Sequence, residues 1–361
     1  MCRGPMKIAV IGGGINGVMS AWQLAADGHK VTLFERDELM SATSSASTKL
    51  LHGGLRYLEN GQLMLVREAL QERTWWIENA PQLAHRLQIV IPLYRDSKRP
   101  AWMLKIGLAT YDLLAGSRNL GRHRRLSREA LLELAPELKS DGLLGGFAFY
   151  DGQMNDAALG RWAAEKAIAA GVEVRQHEPV ERVSKDGEVS WASTTESFDR
   201  VVNVSGPWAK QLLAQSGIAT KYDLDLVRGS HLILDRPIHA GFMLQVPGEE
   251  RVCFALPYEG KTLLGTTEVR QSLEEPIRCS AEEKAYLIKV FNHYLQPAID
   301  GKNVVRTFAG LRPLIRSAEN PTHATREYHI WREGKLINVF GGKWTTSRIL
   351  GQKVAKIAGK E

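Results

Sequence analysis

Apolar residues come in short, dense runs at the start of the chain. Lys7 to Ile11 (KIAVI) is rich in β-branched residues and runs into Gly12-Gly13-Gly14, which predicts a buried parallel strand. Helix formers fill Gly17 to Asp27 and stop at Gly28, a C-terminal cap. Lys30 to Phe34 (KVTLF) predicts a second strand ending at Glu35. The opening is therefore a βαβ unit, whose crossover should be right-handed.

Further along, helical spacing recurs over Gly61 to Ala80, with Leu63, Val66, Leu70 and Ile77 on one side. Gln88 to Tyr94 predicts a strand and Trp102 to Leu114 an amphipathic helix. A helix over Arg161 to Ala170 stops at Gly171 and leads into a strand at Val172 to Arg175. Arg200 to Val204 is another apolar strand, and Val227 to Thr267 alternates as antiparallel sheet does. Leu336 to Phe340 is a strand broken by Gly341-Gly342, with a helix from Thr346. The expected class is α/β (α+β): a Rossmann-type nucleotide-binding domain with an inserted, mainly antiparallel substrate domain. Its segments would be 1–84, 148–222 and 306–361, with 85–147 and 223–305 forming the substrate domain.

Composition narrows the partners. With 44% hydrophobic and 24% charged residues, the chain is of ordinary globular character and not disordered. A net charge of +7 favours anions: a phosphorylated substrate, a dinucleotide or an acidic lipid surface. Nucleic acid is not expected as a partner, because no zinc-finger or helix-turn-helix pattern accompanies the charge. Cys2, Cys253 and Cys279 lie far apart and form no CxxC, which gives no metal site and fits a reducing cytoplasm. No leader-like segment precedes the first strand, and Lys105 and Asp112 interrupt the longest apolar segment, so a membrane span is not expected.

Gly12-Gly13-Gly14-Ile15-Asn16-Gly17 fits G-x-G-x-x-G between a strand and a helix. Gly12 serves the tight turn, Gly14 lets a pyrophosphate approach the backbone, and Gly17 lets helix and strand pack closely. Glu35 stands where an acidic residue would bond the adenosine ribose hydroxyls. The motif alone does not separate FAD from NAD.

Thr43 to Glu59 reads TSSASTKLLHGGLRYLE, and here the chain resembles the FAD-dependent glycerol-3-phosphate dehydrogenases of the amino-acid-oxidase-like flavoproteins. The resemblance continues in order through AWMLKIGLATYDLLAG (101–116), YDGQMND (150–156), NVSGPW (203–208), RGSH (228–231), GTTE (265–268), AGLRPL (309–314) and GGKWTTSR (341–348). It implies FAD as cofactor and hydride transfer from a phosphorylated secondary alcohol to flavin N5. The implied cofactor residues are Gly12, Gly14, Ile15, Asn16, Gly17, Glu35, Arg36, Ser44, Ser45, Ser47, Lys49, Leu50, Val180, Gly206, Trp208, Gly310, Gly342, Lys343 and Thr345. Thr48 belongs to the same polar loop.

Arg56 and Lys343 resemble the family's phosphate ligands, an arginine fork and a lysine point charge that together suit a dianion. Thr345 and Thr346 would add hydroxyls, and Tyr57 would orient the substrate or wall the pocket. Arg312 resembles the arginine beside flavin and carbinol. His52 and His231 are both candidates for the proton acceptor, and the sequence does not choose between them.

The chain departs from the family in three places. The sequence ends soon after GGKWTTSR, so the C-terminal helical domain of many members is not expected in it; Glu268 replaces the Asp of a common GTTD; and Leu39 to Ala42 is less Gly-rich than usual. The electron acceptor stays open between a quinone, oxygen and a soluble carrier. Trp102, Ile106, Ala109 and Leu113 share one helical face near Lys98, Arg99, Lys105, Arg118, Arg122, Arg124, Arg125 and Arg128. Such a segment either lies on an anionic membrane surface or packs on the substrate domain under a solvated charge run. The expected location is the cytoplasm, with the inner face of its membrane as that surface. Other readings are oxidation of another polyol phosphate or a 2-hydroxy acid, and a non-catalytic flavoprotein binding module.

Overall fold

A computed structural model describes residues 4–220, 222–316 and 328–360, and Cys2 lies outside them. The opening βαβ forms as the spacing predicts: strand Lys7–Ile11, helix Ile15–Ala26 and strand Lys30–Phe34. They lie in a sheet ordered Tyr328–Glu333, Leu336–Gly341, Arg200–Asn203, Lys7–Ile11, Lys30–Phe34, Glu173–Arg175. All neighbours pair in parallel except the Tyr328–Glu333 edge. Strands buried on both faces need cover on both. Helices Ile15–Ala26, Asp156–Ala169 and Ser347–Ala358 pack one side through Val18, Leu24, Leu159, Leu350 and Val354. The other side carries helix Ala209–Gln215 and a three-stranded sheet of Val180–Val183, Glu188–Trp191 and Thr194–Ser197.

A second, larger sheet is mainly antiparallel. Its backbone is the long pair Leu224–Leu234 with Val304–Ile315, then Lys261–Gly265, Val252–Tyr258, Gly241–Gln245, Ala84–Tyr94 and Leu143–Met154. Helices Leu63–Asn79 and Ala101–Ala115 share the apolar cluster on one face of it. Arg128–Leu134 and Ala281–Tyr294 share the cluster on the other. The expected class, a Rossmann-type fold with an antiparallel substrate sheet, is the observed one. The expected seams at 148 and 306 fall inside strands Leu143–Met154 and Val304–Ile315 of the larger sheet.

Boundaries shift where caps decide them. The helix expected from Arg161 starts at Asp156, because the Asn155 side chain accepts from the Ala158 amide. Ala281–Tyr294, not anticipated from apolar spacing, opens on a reciprocal capping box between Ser280 and Glu283. Among the described residues no helix is long and apolar enough to cross a membrane, and no three metal-ligating side chains cluster.

Candidate functional site

A cavity of about 990 Å³ begins at the C-terminal ends of the parallel strands, where Ile11, Phe34, Val204 and Gly341 line it, and runs on to the larger sheet. This crevice is where open α/β sheets hold ligands. At its start the glycines act by geometry. Gly12 has φ +114°, and a Cβ there would sit 2.7 Å from the Val204 carbonyl oxygen. A Cβ on Gly17 would lie 1.8 Å from the Gly12 carbonyl oxygen, so Gly17 serves helix packing and lines no part of the cavity. Gly14 differs: a Cβ there would meet only Ser44 Oγ, at 3.0 Å. That leaves a shallow cradle at a helix N-terminus, the geometry a pyrophosphate requires. Beside it the buried Asn16 Oδ1 has no hydrogen-bond partner among the described residues. Both features fit a bound dinucleotide.

Glu35 faces the cavity, and its carboxylate accepts from the Gly13 amide at 2.6 Å and the Asp37 amide at 2.9 Å. Two carboxylate oxygens offer about four acceptor sites, so capacity for ribose hydroxyls remains. Arg36 lies over the Trp208 ring, 3.8 Å from its centre, and both line the cavity with Val180 and Gly206. Glu178, Gln211 and Gln215 also line it, with no motif in the sequence to mark them.

The loop after Ala42 divides its side chains between two sides. Ser44, Ser47, Thr48 and Leu50 line the cavity, and Ser44 Oγ accepts from the Ile15 amide at 2.9 Å. Ser45 and Lys49, expected on the cofactor, do not line it. Lys49 turns behind the loop into a buried ion pair with Asp156, which also accepts from Ser47 Oγ at 2.7 Å. Its ammonium donates to the Ser45 carbonyl at 2.7 Å. Desolvation requires such a lysine to be paired, and the pair pins the loop. Trp344 Nε1 donates to the Ser44 carbonyl at 2.9 Å, tying the C-terminal motif to the same loop. A Cβ on Gly310 would lie 2.9 Å from the Ala46 carbonyl oxygen, so that strand passes close beneath.

Toward the larger sheet, His52, Arg56, Tyr57, His231, Arg312, Gly342, Lys343 and Thr345 converge on the cavity, whereas Thr346 is buried as the cap of helix Ser347–Ala358. Strand register assembles part of this group: Arg312 lies opposite Val227, and Phe308 opposite His231. Lys343 Nζ sits 3.9 Å from the centre of the Tyr57 ring, and the His52 amide donates to Thr345 Oγ1 at 3.4 Å. Arg312 donates to the Thr267 carbonyl at 2.9 Å and approaches Glu268 at 3.7 Å, while Arg251 holds the other Glu268 oxygen at 3.3 Å. Glu268 therefore fixes two guanidinium groups.

His231 does not suit the role of proton acceptor. It is 2% exposed, stacked 4.8 Å from Phe308, with Nε2 2.9 Å from Thr48 Oγ1. Burial, then the nearby Arg312 and Lys49 charges, push its pKa down to about 3. So weak a base is poorly matched to proton abstraction near neutrality. His52 is half-buried and lines the same cavity.

Residues 7–357 match the FAD dependent oxidoreductase family. The D-erythritol 1-phosphate dehydrogenase of Brucella abortus is 36% identical over 363 residues, covering 95% of this chain and 72% of that protein. The aerobic glycerol-3-phosphate dehydrogenase of Escherichia coli is 34% identical over 367 residues, covering 96% and 72%. Glycerol-3-phosphate dehydrogenase from Bacillus halodurans, solved complexed with FAD, aligns with a TM-score of 0.78 and 26% identity over 99% of this chain and 65% of its own. The chain thus spans about two thirds of the length of these relatives. On the match over residues 7–357, it belongs to the FAD dependent oxidoreductase family, with FAD as cofactor.

Proposed function

We propose that the protein oxidises the secondary alcohol of a small polyol phosphate to a ketone, with glycerol 3-phosphate as the leading substrate. The observation that carries this reading is the meeting of Arg56, Lys343 and Arg312 with His52 in one cavity continuous with the dinucleotide crevice. Arg56 and Lys343 hold the phosphate dianion, and Thr345 adds a hydroxyl donor. His52 takes the hydroxyl proton as the carbinol carbon gives up its hydride. Arg312, held by Glu268 and the Thr267 carbonyl, stabilises the charge that develops on the substrate oxygen. His231 stays neutral and shapes the wall. FAD, when bound, supplies the two-electron acceptor. Gly14, Ile15, Asn16 and Ser44 suit its pyrophosphate, and Glu35, Arg36, Val180, Gly206 and Trp208 its adenosine half.

Erythritol 1-phosphate is the second substrate to weigh, because a relative at 36% identity bears that name. A 2-hydroxy acid could engage the same cations through its carboxylate. The test is anaerobic mixing of the FAD-loaded protein with glycerol 3-phosphate, erythritol 1-phosphate, glycerol and lactate. Bleaching of the flavin by either phosphate ester but not by glycerol or lactate supports the reading. A flavin bleached only by lactate, or by none, overturns it. Re-oxidation of the bleached enzyme by a quinone, oxygen or a soluble dye then identifies the acceptor class.

We further propose that helix Ala101–Ala115 rests on an anionic lipid surface. Leu104, Leu108 and Tyr111 pack inward, while Trp102, Ile106 and Leu113 stand 66%, 59% and 79% exposed. Lys98, Lys105, Arg118, Arg122, Arg124 and Arg125 are exposed nearby in the chain and supply charge complementary to such a surface.

A further inference from the structure

Beneath the loop that carries His52 and Arg56 runs a buried polar chain with no part in the chemistry above. The Gly53 amide donates to Tyr111 Oη at 2.7 Å. Tyr111 donates in turn to Asp151, whose oxygens lie 2.8 and 2.9 Å away, and Arg73 donates to the same carboxylate at 2.8 Å. Tyr111, Asp151 and Arg73 are 3%, 3% and 1% exposed. They come from three elements: helix Ala101–Ala115, strand Leu143–Met154 and helix Leu63–Asn79.

The direction of these bonds is set by chemistry. Burial, then the adjacent carboxylate, raise the Tyr111 phenol well above its usual value, so it keeps its proton and donates the hydrogen bond to Asp151. Its oxygen is then free to accept from Gly53. The loop is pressed onto this support: a Cβ on Gly53 would lie 2.7 Å from Tyr111 Oη and 2.6 Å from Leu70 Cδ2. A buried arginine–carboxylate pair is costly to desolvate and adds little stability over an apolar filling. Asp151 also reaches the cavity lining, while Tyr111 stands behind the loop with its phenol oxygen aimed at one peptide N–H. That peptide joins His52 to Gly53.

We infer that Tyr111 is a positioning residue: backed by Asp151 and Arg73, it fixes the His52–Gly53 peptide and so sets the imidazole of His52 and the guanidinium of Arg56 over the cavity. This rests on the roles proposed for His52 and Arg56. A misplacement of about 1 Å in a reacting group costs on the order of 100-fold in rate, and a phenol that anchors the neighbouring peptide controls displacements of that size.

The test compares FAD-loaded Tyr111→Phe with Thr74→Val. Thr74 is 6% exposed and donates to the Leu70 and Arg118 carbonyls from the same helix as Arg73, and neither of these bonds goes to the loop. Two quantities are read: hydrogen exchange of the peptide spanning Gly53 without substrate, and the limiting rate of anaerobic flavin reduction by glycerol 3-phosphate. Tyr111→Phe is expected to speed exchange there and slow reduction by about 100-fold, with FAD content retained. Thr74→Val should lower the unfolding temperature and do neither. Asp151→Asn, which loosens the support from below, should show the same pattern more weakly, and it replaces Tyr111→Phe should that variant fail to fold. Unchanged exchange at Gly53 overturns the inference, as does a rate loss no larger than that of Thr74→Val. So does a loss confined to Asp151→Asn, which would place that carboxylate in direct action on the substrate. If the wild type fails to bleach while Tyr111→Phe still speeds exchange, the substrate reading fails and the positioning role stands.

Discussion

The ammonium of Lys343 lies 3.9 Å from the centre of the Tyr57 ring. This contact joins the two segments proposed to grip phosphate, which the sequence places far apart. A partly desolvated cation over a ring gains on the order of 1–2 kcal/mol, so Tyr57 holds Lys343 in place whether or not its hydroxyl meets the substrate.

Substitutions at this pair should separate wall from ligand. Lys343→Ala is expected to raise KM for glycerol 3-phosphate roughly 10- to 100-fold, since a hydrogen bond to a charged group contributes about 1.5–3 kcal/mol. Tyr57→Phe keeps the ring and should stay within about threefold of wild type, whereas Tyr57→Leu should move KM in the same direction as Lys343→Ala. Steady-state kinetics on the three variants check this. A Tyr57→Phe enzyme as impaired as Tyr57→Leu would give the hydroxyl, not the ring, the leading part.

The three motif glycines should fail in different ways. At Gly17 a methyl would overlap the Gly12 carbonyl, and at Gly12 it would meet Val204 backbone at a positive φ. Alanine at either should destabilise the fold itself, by more than the roughly 1 kcal/mol that such a change can gain at a permissive site. At Gly14 only Ser44 Oγ stands nearby. Gly14→Ala should therefore fold near wild-type stability as apoprotein and bind FAD at least about tenfold more weakly. Thermal unfolding of the apoprotein and FAD titration separate the two classes; equal loss of stability at all three positions would contradict the cradle at Gly14.

How far the sequence foretold this site depends on the reach of each interaction. The βαβ opening was readable because Lys7–Ile11, Ile15–Ala26 and Lys30–Phe34 are neighbours in chain and space, each with its own period and glycine punctuation. Helix Ala281–Tyr294 left a readable signal in Ser280 and Glu283, but its apolar face is interrupted by polar residues. Strand Leu143–Met154 was hidden by its glycines: a Cβ on Gly146 would lie 2.5 Å from the Ile91 carbonyl oxygen, so the residue that weakens the strand pattern is the one its packing needs. Motif residues located the cavity, yet they could not say which way each side chain turns. Lys49 reads as a cofactor ligand until Asp156, from a distant segment, claims its charge. His231 reads as a base until Phe308 and Thr48 bury it. Both depend on pairings across the fold that no local period encodes.

His231 also makes stability depend on pH. Its folded pKa of about 3 lies below its ordinary value of 6.5, so as pH falls the unfolded chain takes up the proton first. The contribution is fully present above about pH 6.5 and is lost as pH falls toward about 3, on the order of 5 kcal/mol at most. His231→Gln should remove it. In urea unfolding, the stability difference between wild type and variant should shift toward the variant between neutral pH and about pH 4. Flavin reduction provides a second check: any ionisation seen between about pH 5 and 8 should survive in His231→Gln. Its disappearance there would restore His231 as the titrating group.

The outward face of Ala101–Ala115 allows the lipid proposal to be tested without disturbing the cavity. Trp102, Ile106 and Leu113 make up the exposed side, and the inward Leu104, Leu108 and Tyr111 secure the helix to the protein. Trp102→Glu with Ile106→Glu should leave folding and flavin content unchanged, because surface substitutions away from buried features typically shift stability by about 0.5 kcal/mol or less. Binding to vesicles containing phosphatidylglycerol should fall sharply, since each change removes apolar burial and adds like charge facing the lipid. Wild-type binding should weaken with salt, because part of the attraction comes from Lys105 and the arginines after Gly116. Co-sedimentation with anionic and with neutral vesicles, at low and high salt, reads both contributions. If the wild type sediments with neither at low salt, the exposed face serves something other than a membrane. If the double variant sediments as well as the wild type, the basic segment alone holds the lipid and the apolar face has no part in it.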